Sequence, residues 1–200
     1  PQSTNLITYS EDFSNASWAK VGDTVVEGGY LSPDGTNNAY RVSGTDNALT
    51  FNLGTTNGLQ TTTRSIYARA TSGTGQANLC SWNGNSNNLF TITEQWQRFE
   101  ITNSSAVAAS SFYGVDFRGS TTLSEIILWG ANATNDQDYA TSYIPTSGAI
   151  ATRLADSVTG AGDVNTFNST EGVLYFEGAA LANDGGLRLL QLSDGTNNNR

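Results

Sequence analysis

The chain has 200 residues, of which 89 are Asn, Ser, Thr or Gly, and its net charge is −9 with a single lysine. This length allows one ordinary domain with part of a second, or one large β-sandwich. The acidic balance argues against nucleic-acid binding, which needs a basic patch, and against binding to anionic lipid. A neutral or cationic partner is easier to bind, and a strongly acidic polysaccharide is harder to bind unless a metal bridges it.

The chain contains no histidine. This removes Ser-His-Asp and Cys-His catalysis and most zinc sites. Carboxylate pairs of the kind used in glycoside hydrolysis remain conceivable, but no recognisable signature flanks any pair. We therefore predict that the protein is not an enzyme. Cys80 is the only cysteine, so no internal disulfide exists, and it is predicted to behave as a small apolar strand residue.

Short runs of alternating apolar and polar residues dominate the first two thirds of the chain, and no helical apolar period extends beyond about two turns. Turn residues recur about every ten residues, which is typical of a sandwich. The sequence therefore predicts an all-β antiparallel fold. The predicted strands are residues 5–10, 24–27, 30–31, 40–42, 49–53, 65–70, 79–82, 89–93, 96–102, 112–117 and 124–129.

The pattern changes after residue 131. Residues 132–156, here called the strap, are mostly polar and contain Tyr143-Ile144-Pro145-Thr146. Proline disfavours a helical conformation in the residue before it and cannot occupy a central strand. The strap is therefore predicted to be an extended linker.

Two further strands are predicted at residues 173–178 and 187–192. A two-stranded hairpin is marginally stable alone in water. Residues 157–200 are therefore predicted to be part of a second domain that is incomplete. The alternative is that these strands complete a sheet of the first domain or of a neighbouring subunit.

Four motifs occur in order along residues 1–156. They are the Asn5–Trp18 opening with Phe13 inside it, Ser32-Pro33-Asp34-Gly35-Thr36, Trp96-Gln97-Arg98-Phe99, and the junction from Ile126–Ala131 through Thr141–Thr146 to Thr152–Asp156. In this order they resemble tailed-phage structural proteins in which a carbohydrate-binding-module-like jelly roll leads into a laminin-G or concanavalin-like sandwich. The resemblance implies a jelly-roll domain over residues 3–131, with the strap and the second domain after it.

The resemblance also implies a function. The protein would be a non-catalytic virion component, such as a head decoration, fibre or tail receptor-binding protein, made in the host cytoplasm without a signal peptide. Its partners would be other virion proteins, further copies of itself in a trimer or on the capsid, and a cell-surface glycan, with no nucleic acid and no membrane. Two alternatives stay open: a purely structural role, and a carbohydrate-binding module of a secreted polysaccharide-degrading enzyme.

Aromatic residues beside amides are the expected sugar-binding groups, because a flat ring stacks on the apolar C–H face of a saccharide. Trp82 borders a polar loop at 83–88 and is either a sugar platform or a core residue. Tyr113 with Asp116 and Arg118 is a second candidate. The resemblance places Trp18, Trp96 and Trp129 in the core and makes Tyr143 a docking anchor. The predicted carbohydrate-binding residues are Trp82, Asn83, Asn85, Asn88, Tyr113 and Asp116.

The resemblance further implies one structural Ca²⁺, held by an acidic residue near the N-terminus and a group near the last strand. Hard oxygen ligands suit this ion. The ligands would be Glu11 or Asp12 together with Glu125. The chain lacks the paired aspartates that those modules often carry on the last strand. The alternative is that these carboxylates are solvated or cap turns.

Overall fold

The computed structural model describes residues 2–55, 60–81, 88–105 and 110–155. Over these ranges the chain forms β-strands joined by turns and loops. No helix in the described ranges is long and apolar enough to cross a membrane. The described strands are β1 Ser3–Asn5, β2 Trp18–Lys20, β3 Val25–Tyr30, β4 Ala39–Ser43, β5 Ala48–Thr55, β6 Gln60–Ala70, β7 Thr74–Ser81, β8 Leu89–Thr93, β9 Gln97–Ser105, β10 Ser110–Asp116, β11 Glu125–Asn135 and β12 Ala151–Arg153.

Ten of these strands form two five-stranded antiparallel sheets. The front sheet has the order β2-β5-β10-β7-β8, and the back sheet has the order β3-β4-β11-β6-β9. Their inner faces enclose one apolar core, as expected when two half-buried sheets cover each other. The predicted all-β jelly-roll sandwich is thus confirmed. The second domain predicted over residues 157–200 lies outside the described residues.

Several predicted strand limits were wrong. The first strand ends at Asn5 rather than residue 10, and β7 begins at Thr74, five residues before the predicted start at residue 79. Strand β11, which was predicted to end at residue 129, continues to Asn135. Its partner β6 is long enough for Asn135 to pair with Thr62. The first four residues of the strap, 132–135, therefore belong to the sandwich.

An aromatic cluster around Trp18 fills the centre of the core. The Trp18 ring lies 4.8 Å from Phe13, 5.1 Å from Phe51 and 5.8 Å from Tyr113 between ring centroids. Its indole nitrogen donates a hydrogen bond to the Tyr9 carbonyl at 2.9 Å, so its polar edge is also satisfied. The predicted core position of Trp18 is confirmed, since only 1% of the residue is exposed.

A β-bulge places Cys80 in the same core. Val115 pairs with Leu79 and Gly114 pairs with Ser81, so Cys80 has no partner opposite it, and its φ is 54°. The extra residue turns both Leu79 and Cys80 inward, where both are fully buried. Burial raises the pKa of the Cys80 thiol to about 12. The predicted small apolar strand residue is confirmed.

The strap folds back along the sandwich. Its last described strand, β12, pairs with β1 in a two-stranded sheet, with Ser3 opposite Arg153. Ile144 is 5% exposed, and Tyr143 packs on Trp129 with 4.7 Å between ring centroids. The described part of the strap is therefore bound to the first domain at both its aromatic segment and its end.

Gly130 makes a second bulge possible, at the point where β11 shifts register against β6 between Trp129 and Asn132. Its φ is 64°, and a Cβ built there would lie 3.3 Å from Tyr67 and 3.5 Å from Tyr143. An L-residue is strained at this φ, and the neighbouring rings leave little space.

Gly130→Ala is therefore expected to destabilise the domain by about 1–2 kcal/mol. Chemical denaturation of the purified protein measures this. Gly44→Ala is the matched control, because Gly44 has no left-handed φ and its closest neighbour is a flexible side chain, Asp23. Equal stability of the two variants would contradict the assigned role of Gly130.

Candidate functional site

The outer face of the front sheet carries an exposed aromatic residue. Along β10, Tyr113 and Val115 are fully buried in the core, so their neighbours Phe112, Gly114 and Asp116 lie on the opposite face. Phe112 is 40% exposed. Of the large apolar side chains that are exposed on the described parts of the front-sheet strands, only that of Phe112 is aromatic. Its ring is available to a ligand.

Small residues form the floor beside this ring. Gly114 pairs with Thr50 on β5, and Thr50 pairs with Ala19 on β2. Residues paired in this way share one face of a sheet. In this row Ala19 is exposed, Thr50 is half-buried and Gly114 is buried, so the accessible part of the floor is formed by Ala19 and Thr50.

An ion pair between buried Asp116 and exposed Arg118 borders the floor on the side away from Phe112. The Arg118 Nε lies 2.9 Å from both carboxylate oxygens of Asp116, and the Arg118 backbone nitrogen donates to Asp116 Oδ1 at 2.8 Å. The Asp116 side chain is 4% exposed, whereas that of Arg118 is 44% exposed. Hydrogen bonding to Asp116 raises the pKa of Arg118. Asp116 thus holds Arg118 in place, and Arg118 presents the N–H donors to solvent.

Asn78 lies next to this pair, opposite Asp116 on β7. Its amide nitrogen donates to the Arg118 carbonyl at 3.0 Å. Its side-chain oxygen is buried and has no hydrogen-bond partner among the described residues. Buried acceptors are normally paired. We expect an ordered water or a ligand hydroxyl to donate to this oxygen.

A polar cleft of about 250 Å³ continues from the Asp116 end of the face. The β4–β5 and β10–β11 loops line it, with hydroxyl and carboxylate groups from Thr45, Asp46, Thr121 and Ser124. A strand rises about 3.3 Å per residue, so about 17 Å separates Phe112 from the start of this cleft at Phe117. The face as a whole suits an extended ligand better than a single small molecule.

The structure contradicts one predicted sugar-binding residue, Tyr113. Its side chain is fully buried, and its hydroxyl donates to the Ser65 carbonyl at 2.8 Å. It cannot stack on a sugar, and the register gives the exposed position to Phe112 instead. Asp116 lies on the predicted face, but its carboxylate is engaged by Arg118.

The other predicted sugar-binding residues lie in or beside the β7–β8 connection. Trp82, Asn83 and Asn85 lie outside the described residues. Asn88 is half-buried at the base of the connection, where its amide nitrogen donates to the Cys80 carbonyl at 3.3 Å. Asn88 therefore closes this connection, and its contact with a sugar stays a prediction.

The expected calcium ligands do not come together. Glu125 lies at the start of β11, where one carboxylate oxygen is 3.2 Å from Arg41 and the other accepts a hydrogen bond from Thr71 at 2.6 Å. Among the described residues, no group of three or more His, Cys, Asp or Glu side chains is placed to hold a metal ion. The predicted set of Glu11, Asp12 and Glu125 does not fit a calcium site.

The two N-terminal carboxylates have structural partners instead. Glu11 accepts a hydrogen bond from the Tyr143 hydroxyl at 2.8 Å. Asp12 accepts one from Tyr40 at 3.1 Å and others from Ser14. Although burial raises the pKa of Asp12, the hydrogen bonds from Ser14 and Tyr40 outweigh it, and the pKa is lowered. These acids fix turns and hold the strap.

Two predicted core tryptophans occupy a different place. Trp129 is 7% exposed, but it lies on the outer face of the back sheet beneath Tyr143 rather than between the sheets. Trp96 is half-buried at the edge of the same outer face. The predicted core positions of these two residues were therefore wrong, and both pack in a second cluster. Tyr143 acts as the predicted anchor, and it anchors the strap on the first domain.

No protein-family model matches the sequence, and no curated protein sequence matches it. Among solved structures, the CBM22-1 xylan-binding domain of Paenibacillus barcinonensis Xyn10C aligns with a TM-score of 0.46 at 10% identity, covering 68% of this chain and 94% of that one. The C-terminal CBM6 of LamC from Zobellia galactanivorans aligns at 0.41 and 10% identity, covering 67% and 99%.

A tailspike is also among these structures. The enzymatically active domain of tailspike protein 4 from bacteriophage CBA120 aligns at 0.40 and 10% identity, covering 66% of this chain and 21% of that one. All three TM-scores lie below 0.5. These likenesses therefore carry no inference about what this chain binds.

Proposed function

We propose that this chain is a non-catalytic, glycan-binding β-sandwich module. The observation that carries the proposal is the front-sheet face, where exposed Phe112 lies next to the small residues Thr50 and Ala19, with the donor group of Arg118 farther along the same face. Concave or flat sites that combine an apolar surface with a few fixed polar groups are typical of ligand binding. We refer to this surface as the Phe112 face.

Each part of the Phe112 face has a role in binding a sugar chain. The aromatic ring stacks on the apolar C–H face of one sugar unit, and the small side chains of Thr50 and Ala19 leave room for that unit beside the ring. Arg118, oriented by Asp116, donates hydrogen bonds to hydroxyl oxygens. The hydroxyl-rich cleft beyond Phe117 receives the next units of the chain. No reacting group is required for this role.

The proposed setting is the virion of a tailed bacteriophage, where the module serves as a decoration, fibre or receptor-binding part. The support is the sequence resemblance, above all the Tyr143-Ile144-Pro145-Thr146 junction. Individual sugar contacts are weak, and several copies on a trimer or a capsid would raise the overall affinity by avidity. Antibodies against the module should label purified particles of the encoding phage.

The same face would serve a carbohydrate-binding module of a secreted polysaccharide-degrading enzyme. In that setting the module would be found joined to a catalytic domain, and antibodies would detect it in the secreted fraction and on no virion. The Phe112 face and its test are the same in both settings.

Phe112→Ala is expected to weaken glycan binding at least tenfold, because truncating a central aromatic anchor usually costs about 2 kcal/mol or more. The measurement is retention of the purified, multivalently displayed protein on a panel of neutral bacterial, plant and algal polysaccharides, with and without EDTA. The EDTA arm tests the calcium prediction.

Leu31→Ala is the matched control, since Leu31 is 56% exposed and lies in the β3–β4 connection, outside the front sheet. Undiminished glycan binding by Phe112→Ala would show that the binding site lies elsewhere on the molecule. No retention on any polysaccharide would make the glycan-binding proposal wrong and would leave a cementing role in the particle.

A further inference from the structure

The outer face of the back sheet carries a second cluster of aromatic side chains. Ile127 and Trp129 are almost fully buried there although they point away from the main core. Part of the cover comes from Tyr143 in the strap, whose ring packs against Trp129. The half-buried aromatic residues of this cluster are Tyr30, Tyr67, Trp96 and Tyr143.

Arginines alternate with these aromatic residues across the strands. Arg41, Ile127 and Arg69 are cross-strand neighbours on β4, β11 and β6. In the next row, Tyr67 lies between Trp129 and Arg98. Paired positions share one face of a sheet, so the three arginines and the rings form one continuous surface.

Two of the arginines stack on rings. The Arg69 guanidinium carbon lies 5.5 Å from the centre of the Trp96 ring, and that of Arg98 lies 5.7 Å from the Tyr67 ring. These distances are within the range of cation–π contacts. Stacking holds each guanidinium flat, and in Arg69 it leaves an edge that can donate hydrogen bonds to a ligand.

The acids on this face neutralise only one of the arginines. Arg41 pairs with Glu27 and with Glu125. Among the described residues, neither Arg69 nor Arg98 has a carboxylate within 4 Å. Arg98 is bound to Ser65 at 2.9 Å and to the strap, whereas Arg69 has only a long contact of 3.5 Å with the Ala70 carbonyl.

Arg69 is therefore a stacked, partly exposed cation with no anionic partner in the described part of a chain whose net charge is −9. A guanidinium is suited to a planar two-oxygen anion, because it donates two parallel hydrogen bonds. The Trp96 and Tyr67 rings beside it offer the apolar surface that a sugar ring covers. The charge and the shape together fit an acidic sugar unit.

We propose that the surface formed by Tyr67, Arg69, Trp96 and Arg98, the Arg69 face, binds sugar units that carry an oxyanion, either carboxylate or sulfate. It lies on the opposite sheet from the Phe112 face. The inference rests on the proposed glycan-binding function for the sugar part of the ligand, whereas the oxyanion contact depends on Arg69 itself. It runs counter to the expectation from net charge that a strongly acidic polysaccharide is harder to bind without a bridging metal.

The test compares retention of the whole chain on four immobilised probes: polygalacturonate, dextran sulfate, a neutral xylan and poly-glutamate. Wild-type protein is expected to bind polygalacturonate or dextran sulfate more tightly than poly-glutamate, and to bind less tightly as salt is raised. Arg69→Gln is expected to weaken this binding at least tenfold and to leave xylan binding unchanged. The carboxylate and sulfate probes identify which oxyanion is preferred.

Lys20→Gln is the matched control, because it removes the same charge from the edge of the front sheet. Circular dichroism and a thermal melt check that each variant is folded. Equal losses in Lys20→Gln and Arg69→Gln would show a net-charge effect and overturn the proposal. Equal binding to poly-glutamate would also overturn it, because the surface would then bind acidic chains without regard to sugar.

The failures of the two proposals are separable. Phe112→Ala is expected to abolish binding to xylan and to leave binding to the acidic polysaccharides unchanged. The expected effects of Arg69→Gln are the reverse. If both acidic polysaccharides fail to bind while xylan binds, the Arg69 face is wrong and the Phe112 face stands. If xylan binding also depends on Arg69, the two faces are not separate sites and the present inference is wrong.

Discussion

Replacing Asn5 with alanine is expected to destabilise the domain by at least about 3 kcal/mol. The Asn5 side chain is fully buried, and its nitrogen donates to the carbonyls of Ala131 at 3.0 Å and Ile144 at 2.8 Å. Its oxygen accepts from the backbone nitrogens of Ile7 and Ala133, both at 3.1 Å. An amide has two donors and two acceptor positions, so every one is used.

The loss is large because four buried backbone groups lose their partner together, and each unsatisfied group costs about 1–3 kcal/mol. These groups belong to three segments, the N-terminus, β11 and the strap. Urea unfolding of Asn5→Ala and of Asn37→Ala, an exposed asparagine in the β3–β4 turn, measures the difference. A loss below about 1 kcal/mol would mean that water replaces the amide, and the assigned role would be wrong.

The domain is expected to lose stability as the pH rises above 9. Burial raises the pKa of the Cys80 thiol from its ordinary value of 9.0 to about 12. Between these values the unfolded chain has released the proton and the folded protein retains it. The unfolded state then binds fewer protons, so stability falls with pH. One pKa unit corresponds to about 1.4 kcal/mol, so the full loss from this thiol reaches about 4 kcal/mol near pH 12.

Other buried groups act at higher pH. Burial also raises the pKa of Tyr113 and Tyr143 above the ordinary value of 10, which adds to the loss. Burial lowers the pKa of Arg64 to about 10, so above that pH the folded protein releases this proton first and the effect has the opposite sign. The interval from pH 8 to 10 therefore isolates the thiol best.

Denaturant unfolding at pH 8, 9 and 10 tests this expectation. The wild-type protein should lose about 1 kcal/mol over the interval, and Cys80→Ala should lose clearly less, whatever its stability at pH 8. The comparison is between the slopes of the unfolding free energy against pH. The cavity that the substitution leaves lowers the stability equally at every pH and does not change the slope. Parallel slopes would show that Cys80 is accessible to solvent in the folded protein.

The all-β fold could be predicted because it depends on local signals. The alternation of apolar and polar residues in residues 65–70, 89–93 and 112–117 identified strands that the structure contains as β6, β8 and β10. The limits of β7 and β11 depend on pairing partners far away in the chain, so no local pattern could give them. Bulges such as the one at Cys80 break the alternation itself.

The prediction named Tyr113 on the strand that carries the proposed Phe112 face, but the Tyr113 side chain lies on the other side of that strand. Tyr113 and Asp116 are an odd number of positions apart, and strict alternation places such residues on opposite faces. The same rule places Phe112 on the same face as Asp116. Alternation alone could therefore have identified Phe112 as the exposed aromatic residue. A shift of one residue in a strand exchanges the two faces completely.

The choice of calcium ligands was wrong for a different reason. Glu125 and Arg41 are 84 positions apart in the chain, and only the β4–β11 register brings them together. A carboxylate that looks free in the sequence is thereby neutralised by an arginine. The Arg69 face was missed for the same reason, because its rings and cations come from separate strands.

The pairing of β1 with β12 has a mechanical consequence. The strands are antiparallel, with Ser3 opposite Arg153, so the chain enters and leaves the domain side by side. Tension on the two flanking segments would separate this three-residue ladder one pair at a time, beginning at Ser3. The load would then reach the buried Asn5 amide before it reached either five-stranded sheet. A module attached in this way can take up tension by releasing a short length of chain while both of its proposed binding faces stay folded.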